Sequence, residues 1–388
     1  MDLRAPSADN DLRGWITPRG DASLADVHGT VGVKHHASGW KRALANMQIA
    51  LNFVKKGRMH LTMPHGVKRK RELKAILANT PPETRLAGKP WLLAPIDLQA
   101  IKAAGVTFAI SMLERVIEER ARGNPAAAAE IRAFIKGLIG DDLSKLKPGS
   151  EEATALKKVL MEKGVWSQYL EVGIGPDAEI FTKSQIMAAV GHGMEAGLNP
   201  ISSWNNPEPE VVVVVASSGT IVGATLGNDV NLRDVEGRSG LLLGKAKDNN
   251  ASCAIGPFIR LFDANFRIDH VRNMELSLRV EGEDGYVLNG GSTMAKISRD
   301  PVDLVGQMLN AHHQYPDGAV LFLGTLFAPI EDRDTKGGGF THKTGDIVTV
   351  SSAELGSLTN RMVATNVAAP WTFGASHLMR NLAKRGLL

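Results

Sequence analysis

The sequence predicts an α+β protein whose β-rich part runs from Trp166 to the C-terminus, preceded by a smaller region that contains a helical insertion. Three observations carry that expectation. Short β-branched and aromatic runs recur after Trp166, with turn residues roughly every eight to twelve positions, a texture of strands rather than of alternating strands and helices. Between residues 111 and 163 the pattern turns helical and is punctuated by Gly123-Asn124-Pro125 and Gly164. The 388 residues, 43% of them hydrophobic, are enough to bury a sizeable core. The expected divisions are 1–80, an atypical basic leader; 81–165, an N-terminal region with a helical lid; and 166–388, the β-rich domain.

Taken in order, the leader has no Asp or Glu from Val27 to Arg71, while Lys34, Lys41, Arg42, Lys55, Lys56, Arg58 and Lys68 to Arg71 accumulate. Such a cluster can attract phosphate or another anionic surface. The chain as a whole carries only +4, so nucleic acid is not expected as a partner and the leader is read as poorly ordered. Its five histidines lack the paired spacing of a metal site. Residues 40–54 could form a short amphipathic helix. A short strand is expected at 92–96, another short apolar element at 105–110, and helices at 111–122, 125–138 and 151–163. Further strands are expected at 213–222, 241–243, 274–280, 318–326 and 346–351, with a helix at 303–311.

The single cysteine, Cys253, cannot pair within the chain and reads as a small buried hydrophobe, which fits a reducing cytoplasm. No apolar run of about eighteen residues is present, so no membrane span is expected. The first twenty residues lack the apolar centre of a secretory signal.

The most informative stretch is Glu208-Pro209-Glu210, followed by Val211 to Val215, a Ser217-Ser218-Gly219 turn and a second run ending in Gly227-Asn228-Asp229. Two β-branched runs around such a turn read as a hairpin. Strand residues two apart share a face, so Glu208 and Glu210 should point the same way, and the returning strand can bring Asp229 beside them. Three converging carboxylates repel one another unless a cation lies between them, and an oxygen-only set suits Mg²⁺, with Mn²⁺ or Ca²⁺ as alternatives, rather than Zn²⁺. Other motifs fall away. Gly244-Lys245 lacks the Ser or Thr of a phosphate loop, no helix pattern follows Gly337-Gly338-Gly339, and no Gly-x-Ser-x-Gly elbow exists.

Glu208-Pro209-Glu210, Gly227-Asn228-Asp229-Val230-Asn231-Leu232-Arg233-Asp234, Leu243-Gly244-Lys245-Ala246-Lys247-Asp248 and Ile255-Gly256-Pro257-Phe258 together resemble the fumarylacetoacetate hydrolase superfamily. Within it, Trp204-Asn205-Asn206-Pro207 and Pro370-Trp371-Thr372-Phe373-Gly374 are similar to the 2-keto-3-deoxy-aldonate dehydratases, of the 2-keto-3-deoxy-D-xylonate type. The resemblance implies a β-roll catalytic domain, a 2-keto acid substrate, Mg²⁺ held by Glu208, Glu210 and Asp229, and a homo-oligomer. It also implies Lys245 as the lysine facing the ketone, and Thr325, Lys183 and Phe181 around the substrate; Arg233 and Asp234 are expected to brace the metal-bearing turn, with Arg233 also able to meet substrate oxygens. Where hydrolytic and decarboxylating relatives carry a His-x-x-Glu pair, this sequence has Ser111 and Glu114. Serine is no general base near neutral pH. Ser111 is therefore expected only to touch substrate, with Glu114 left to move protons. That points to dehydration of a 2-keto-3-deoxypentonate to 2,5-dioxopentanoate, as in pentose catabolism. The alternatives are acylpyruvate hydrolysis and oxaloacetate decarboxylation on the same scaffold.

Overall fold

The computed structural model describes residues 58–62, 68–86, 89, 91–122, 146–162, 164, 166–327, 329–334 and 339–384. Most of the basic leader, the expected helices over 40–54 and 125–138, and Gly337-Gly338 lie outside the described residues. In chain order the structure runs β1 (Arg58–Thr62), β2 (Lys68–Glu72), α1 (Leu73–Ala78), β3 (Ala100–Gly105), α2 (Ala109–Arg120), α3 (Glu151–Glu162), α4 (Gln168–Ile174), β4 (Glu179–Ser184), β5 (Glu195–Leu198), β6 (Pro209–Val215) and β7 (Ile221–Asp229). It continues with α5 (Arg233–Glu236), α6 (Leu243–Lys247), β8 (Cys253–Leu261), α7 (Ile268–Arg272), β9 (Glu275–Glu281), β10 (Val287–Thr293), α8 (Pro301–Met308), β11 (Ala319–Phe322), β12 (Ile347–Ser352), β13 (Gly356–Ala364) and α9 (Ala375–Lys384).

The architecture is α+β, as expected. A six-stranded mixed sheet has the order β4-β3-β11-β6-β7-β8, and a five-stranded sheet the order β10-β9-β12-β13-β5. Strand β6 is buried along its whole length because both of its faces are covered. Val211, Val213 and Val215 pack with Leu276, Leu278 and Val280 of β9, so the two sheets share a core. Val212 and Val214 face the opposite way, toward Leu92, Ala94 and Ile96. An unbroken valine run is what a strand covered on both faces requires. Strand β9 shows the other pattern, strictly alternating between buried and exposed residues, as a sheet with one wet face should. A third apolar cluster joins α2, α3 and α4 through Met112, Val116, Ile117, Leu160, Leu170 and Ile174. Among the described residues no helix is long and apolar enough to cross a membrane.

Three local expectations are corrected. Residues 92–96 form no strand; their apolar side chains cover the six-stranded sheet from a loop. Strand β3 ends at Gly105 and α2 opens at Ala109, so 105–110 spans a strand end and a helix start. Residues 241–243 are helical, because Ser239 caps a 3-10 turn at Gly240–Leu242 that runs into α6. A short apolar run does not distinguish the two states by itself. Strand β3, from within residues 81–165, is an interior strand of the six-stranded sheet, parallel to β11.

The β6–β7 hairpin is pinned by its turn and its packing. Gly219 takes φ +84° at the turn, a conformation that favours glycine. Gly227 lies opposite Glu210. A methyl there would stand 2.2 Å from Phe322 and 2.6 Å from Val212. Gly227→Ala is therefore expected to destabilise the fold by about 1–3 kcal/mol through overpacking. Chemical denaturation would show this as a lower midpoint.

Candidate metal centre and active site

The hairpin assembles the three carboxylates through its backbone. The Asp229 amide donates to the Glu208 carbonyl at 3.0 Å, and the Asn228 side chain accepts from the Glu208 amide at 3.0 Å. This ties the entrance of β6 to the exit of β7. Glu208, Glu210 and Asp229 each offer an oxygen, all within 4.8 Å of one another, and all three residues are buried.

Their partners differ sharply. Glu208 is held by two cations: Arg115 Nη2 meets Oε1, and Lys247 Nζ meets Oε2 at 2.5 Å. Asp229 is held by Lys183 at 2.8 Å and Lys247 at 3.3 Å. Glu210 meets neutral donors, the Gly324 amide at 2.7 Å and the Thr325 hydroxyl at 3.2 Å. Their protonation follows. Burial pushes the Glu208 carboxyl up, but Lys247 and Arg115 outweigh it and hold it at about 2. Burial, then the charges of Asp229 and Glu208, push the Glu210 carboxyl well above the carboxylate range. Burial alone would lower the Lys247 ammonium; Asp229, Glu208 and Glu236 more than reverse this, so it stays protonated.

A narrow recess opens on these groups, lined also by Gly105, Val106, Arg115, Glu179, Phe181, Glu236 and Thr325. Helix α2 forms one wall. Its Arg115 bonds Glu118 at 2.6 Å and approaches Glu236 at 3.4 Å. Burial, reinforced by Glu236, lifts the Glu179 carboxyl to about 7. No histidine is among the described residues that line the recess.

The expected site residues fall into three groups. Glu208, Glu210 and Asp229 come together, with Thr325 and Phe181 in the same recess; Phe181 lies beneath Lys247, 5.8 Å from its ammonium. Lys183 and Arg233 support the site from behind. Lys183 is fully buried under Asp229, and Arg233 bonds the Pro329 carbonyl at 2.9 Å and pairs with Glu118 at 3.2 Å. Neither lines the recess; Lys183 stands behind Asp229, and Arg233 sits where bracing of the turn is expected of it.

Lys245, the lysine expected to face the ketone, and Lys247 stand on different sides of α6. Lys245 is exposed, whereas Lys247 is buried against the carboxylates. Two residues turn a helix by about 200°, so only one of these lysines can face inward. Glu114 is half-buried on α2, near enough to Arg233 to act on its charge, but not in the recess lining. Ser111 lies in α2, and its side chain is outside the described residues. Sequence reasoning missed Arg115, Glu118, Glu179, Glu236 and Lys247. Glu179 was legible in principle, since in β4 it shares a face with Phe181 and Lys183 at spacing two.

The donor set fits a hard divalent ion. All three donors are carboxylate oxygens, the choice of Mg²⁺ or Mn²⁺ rather than of Zn²⁺. Two unit charges at this spacing repel by about 3–4 kcal/mol at an effective dielectric near 20, which adds to burial in raising the Glu210 carboxyl when no cation compensates. Around the recess the carboxylates Glu118, Glu179, Glu208, Glu210, Asp229 and Glu236 outnumber the cations Arg115, Lys183, Arg233 and Lys247. A divalent ion redresses that excess.

Residues 191–363 match the family model described as "Fumarylacetoacetate (FAA) hydrolase C-terminal". The 2-dehydro-3-deoxy-D-arabinonate dehydratase of Saccharolobus solfataricus is 33% identical over 180 residues, 46% of this chain and 57% of the relative. A probable 2-keto-3-deoxyxylonate dehydratase of Haloferax volcanii is 28% identical over 199 residues, 51% of this chain and 65% of the relative. The matched part therefore spans less than two thirds of either relative. A solved structure of 2-keto-3-deoxy-D-arabinonate dehydratase complexed with magnesium and 2,5-dioxopentanoate shares the fold, with a TM-score of 0.52 and 20% identity over 82% of this chain and 88% of that one. The region that matches the fumarylacetoacetate hydrolase family model therefore spans the hairpin, all three carboxylates and Lys247.

Proposed function

We propose that this protein is a hydro-lyase that dehydrates a 2-keto-3-deoxypentonate to 2,5-dioxopentanoate with the help of Mg²⁺, Mn²⁺ being the alternative ion. The observation that carries the reading is the buried oxygen-only triad in a recess with no histidine among the described residues that line it. The names of the two curated relatives, and the magnesium and 2,5-dioxopentanoate bound in the solved dehydratase complex, support this substrate class.

A divalent ion held by Glu208, Glu210 and Asp229 would supply Lewis-acid polarisation of the keto group. The chain's own residues do the rest. Glu179, with a carboxyl near 7, is matched to proton transfer at neutral pH. As the carboxylate it takes the C3 proton; as the acid it returns a proton to the departing C4 hydroxyl, which leaves as water. Transfer of a C5 proton to C3 then gives the C4=C5 enol, which becomes the aldehyde by taking a proton at C4 and losing the C5 hydroxyl proton. Lys247, kept protonated by its carboxylate neighbours, donates toward the charge that develops on the keto oxygen. Glu179 thus takes the part that the sequence offered to Glu114, which stands outside the recess lining.

Incubation with Mg²⁺ and 2-keto-3-deoxyxylonate or 2-keto-3-deoxyarabinonate is expected to yield 2,5-dioxopentanoate, and chelation to stop it. Release of pyruvate from an acylpyruvate, with the sugar acids untouched, would overturn the proposal in favour of hydrolysis. The base must be ionised, so kcat/KM is expected to rise with pH through the Glu179 titration. Its midpoint should lie at or below about 7, because a bound cation favours the carboxylate. Glu179→Gln should remove that limb and cut the rate by about 10²–10⁴-fold.

A further inference from the structure

We propose that Glu236 is a positioning residue that sets how tightly the site takes a divalent cation, by receiving the cationic side chains that Glu208 must release. This rests on the reading of Glu208, Glu210 and Asp229 as a cation site. Both oxygens of Glu208 are engaged, one by Arg115 and the other by Lys247. A dication cannot approach an oxygen from the side a guanidinium or ammonium already fills. Each oxygen keeps a second lone pair, but a dication there stands beside a buried cation, and their repulsion drives at least one of the two away.

Neither can move into water. Lys247 is buried and the Arg115 side chain is only 11% exposed, and a buried cation stripped of its partner is strongly destabilising. Glu236 is the acceptor within reach of both. Its Oε2 lies 3.4 Å from Arg115 Nη1 and 4.0 Å from Lys247 Nζ, and that same oxygen is buried without a hydrogen bond. Glu118, the other carboxylate beside Arg115, is already shared with Arg233. The backbone of Glu236 is fixed, its amide donating to Leu232 at 2.9 Å and its carbonyl accepting from Tyr169 at 3.4 Å. A shift of about one ångström by either cation would close the contact with Glu236 and free an oxygen of Glu208.

The test is calorimetric titration of the full-length protein with Mn²⁺ alone. Glu236→Gln is expected to raise the dissociation constant by about tenfold or more, the scale on which outer residues tune metal sites. Glu236→Asp, which keeps the charge, should recover part of the affinity. A double-mutant cycle separates a relay from a fixed charge. In an Arg115→Gln background Glu208 is already partly released, so the penalty of Glu236→Gln should shrink; Lys247→Met supplies the same cycle if Arg115→Gln does not fold. An equal penalty in both backgrounds, or parental Mn²⁺ affinity in Glu236→Gln, overturns the proposal. Absence of Mn²⁺ binding by the parent would instead overturn the cation site itself, and this inference with it.

Discussion

Glu210→Gln is expected to abolish divalent-cation binding and activity while leaving the cation-free protein at least as stable as the parent. Glu208→Gln should lose both function and stability. The contrast comes from their partners. Glu210 faces neutral donors and two nearby carboxylates, so an amide removes repulsion and keeps the acceptor for the Gly324 amide. Glu208 is the counter-ion of Arg115 and Lys247, and its loss strands two poorly solvated cations at a cost of about 3–5 kcal/mol.

Linkage gives the sign with pH. Because the folded Glu210 carboxyl is raised, its contribution to the stability of the cation-free parent is present below the unfolded value of about 4.3 and is lost as pH rises toward the folded one. Glu210→Gln should lack that loss. Glu208 behaves oppositely: its contribution is present above about 4.3 and is lost as pH falls through about 2. Thermal unfolding of the parent and the two variants in chelator, at pH 3, pH 5 and pH 8, would show both trends, the Glu208 one below pH 5 and the Glu210 one above it. Equal destabilisation by the two substitutions would contradict this electrostatic assignment.

The second large effect separates two lysines. Lys247→Met is expected to lower kcat by about 10²–10³-fold, the scale on which removal of one preorganised donor to a developing oxyanion is felt. Lys245→Met should leave kcat unchanged and stability within about 0.5 kcal/mol, since Lys245 stands in solvent. Steady-state kinetics on the pair would decide it, and a collapse of activity in Lys245→Met alone would reverse the assignment.

The placement of these lysines shows where sequence reading stops. The hairpin was legible because strand periodicity and a Gly turn are local, and two glutamates at spacing two need no tertiary information to share a face. Asp229 followed from the hairpin's return. The α6 segment offered no such rule. Leu241, Leu242 and Leu243 looked like a strand, and Leu241 proves 96% exposed. Without the helical phase, the choice between Lys245 and Lys247 could not be made from the chain alone. Arg115 and Glu236 were invisible for a different reason. They meet Glu208 or one another only because α2 and α5 close over the same recess, contacts that join residues 93 and 121 positions apart. The fold class, by contrast, rests on texture over many residues and survived local mistakes such as the loop at 92–96.

Anomalous diffraction from crystals soaked in Mn²⁺ addresses the central claim most directly. A single strong peak is expected among the Glu208, Glu210 and Asp229 carboxylates, within about 2.6 Å of an oxygen from each. A peak held by other residues, or no peak beside well-ordered carboxylates still paired with Arg115 and Lys247, would contradict it.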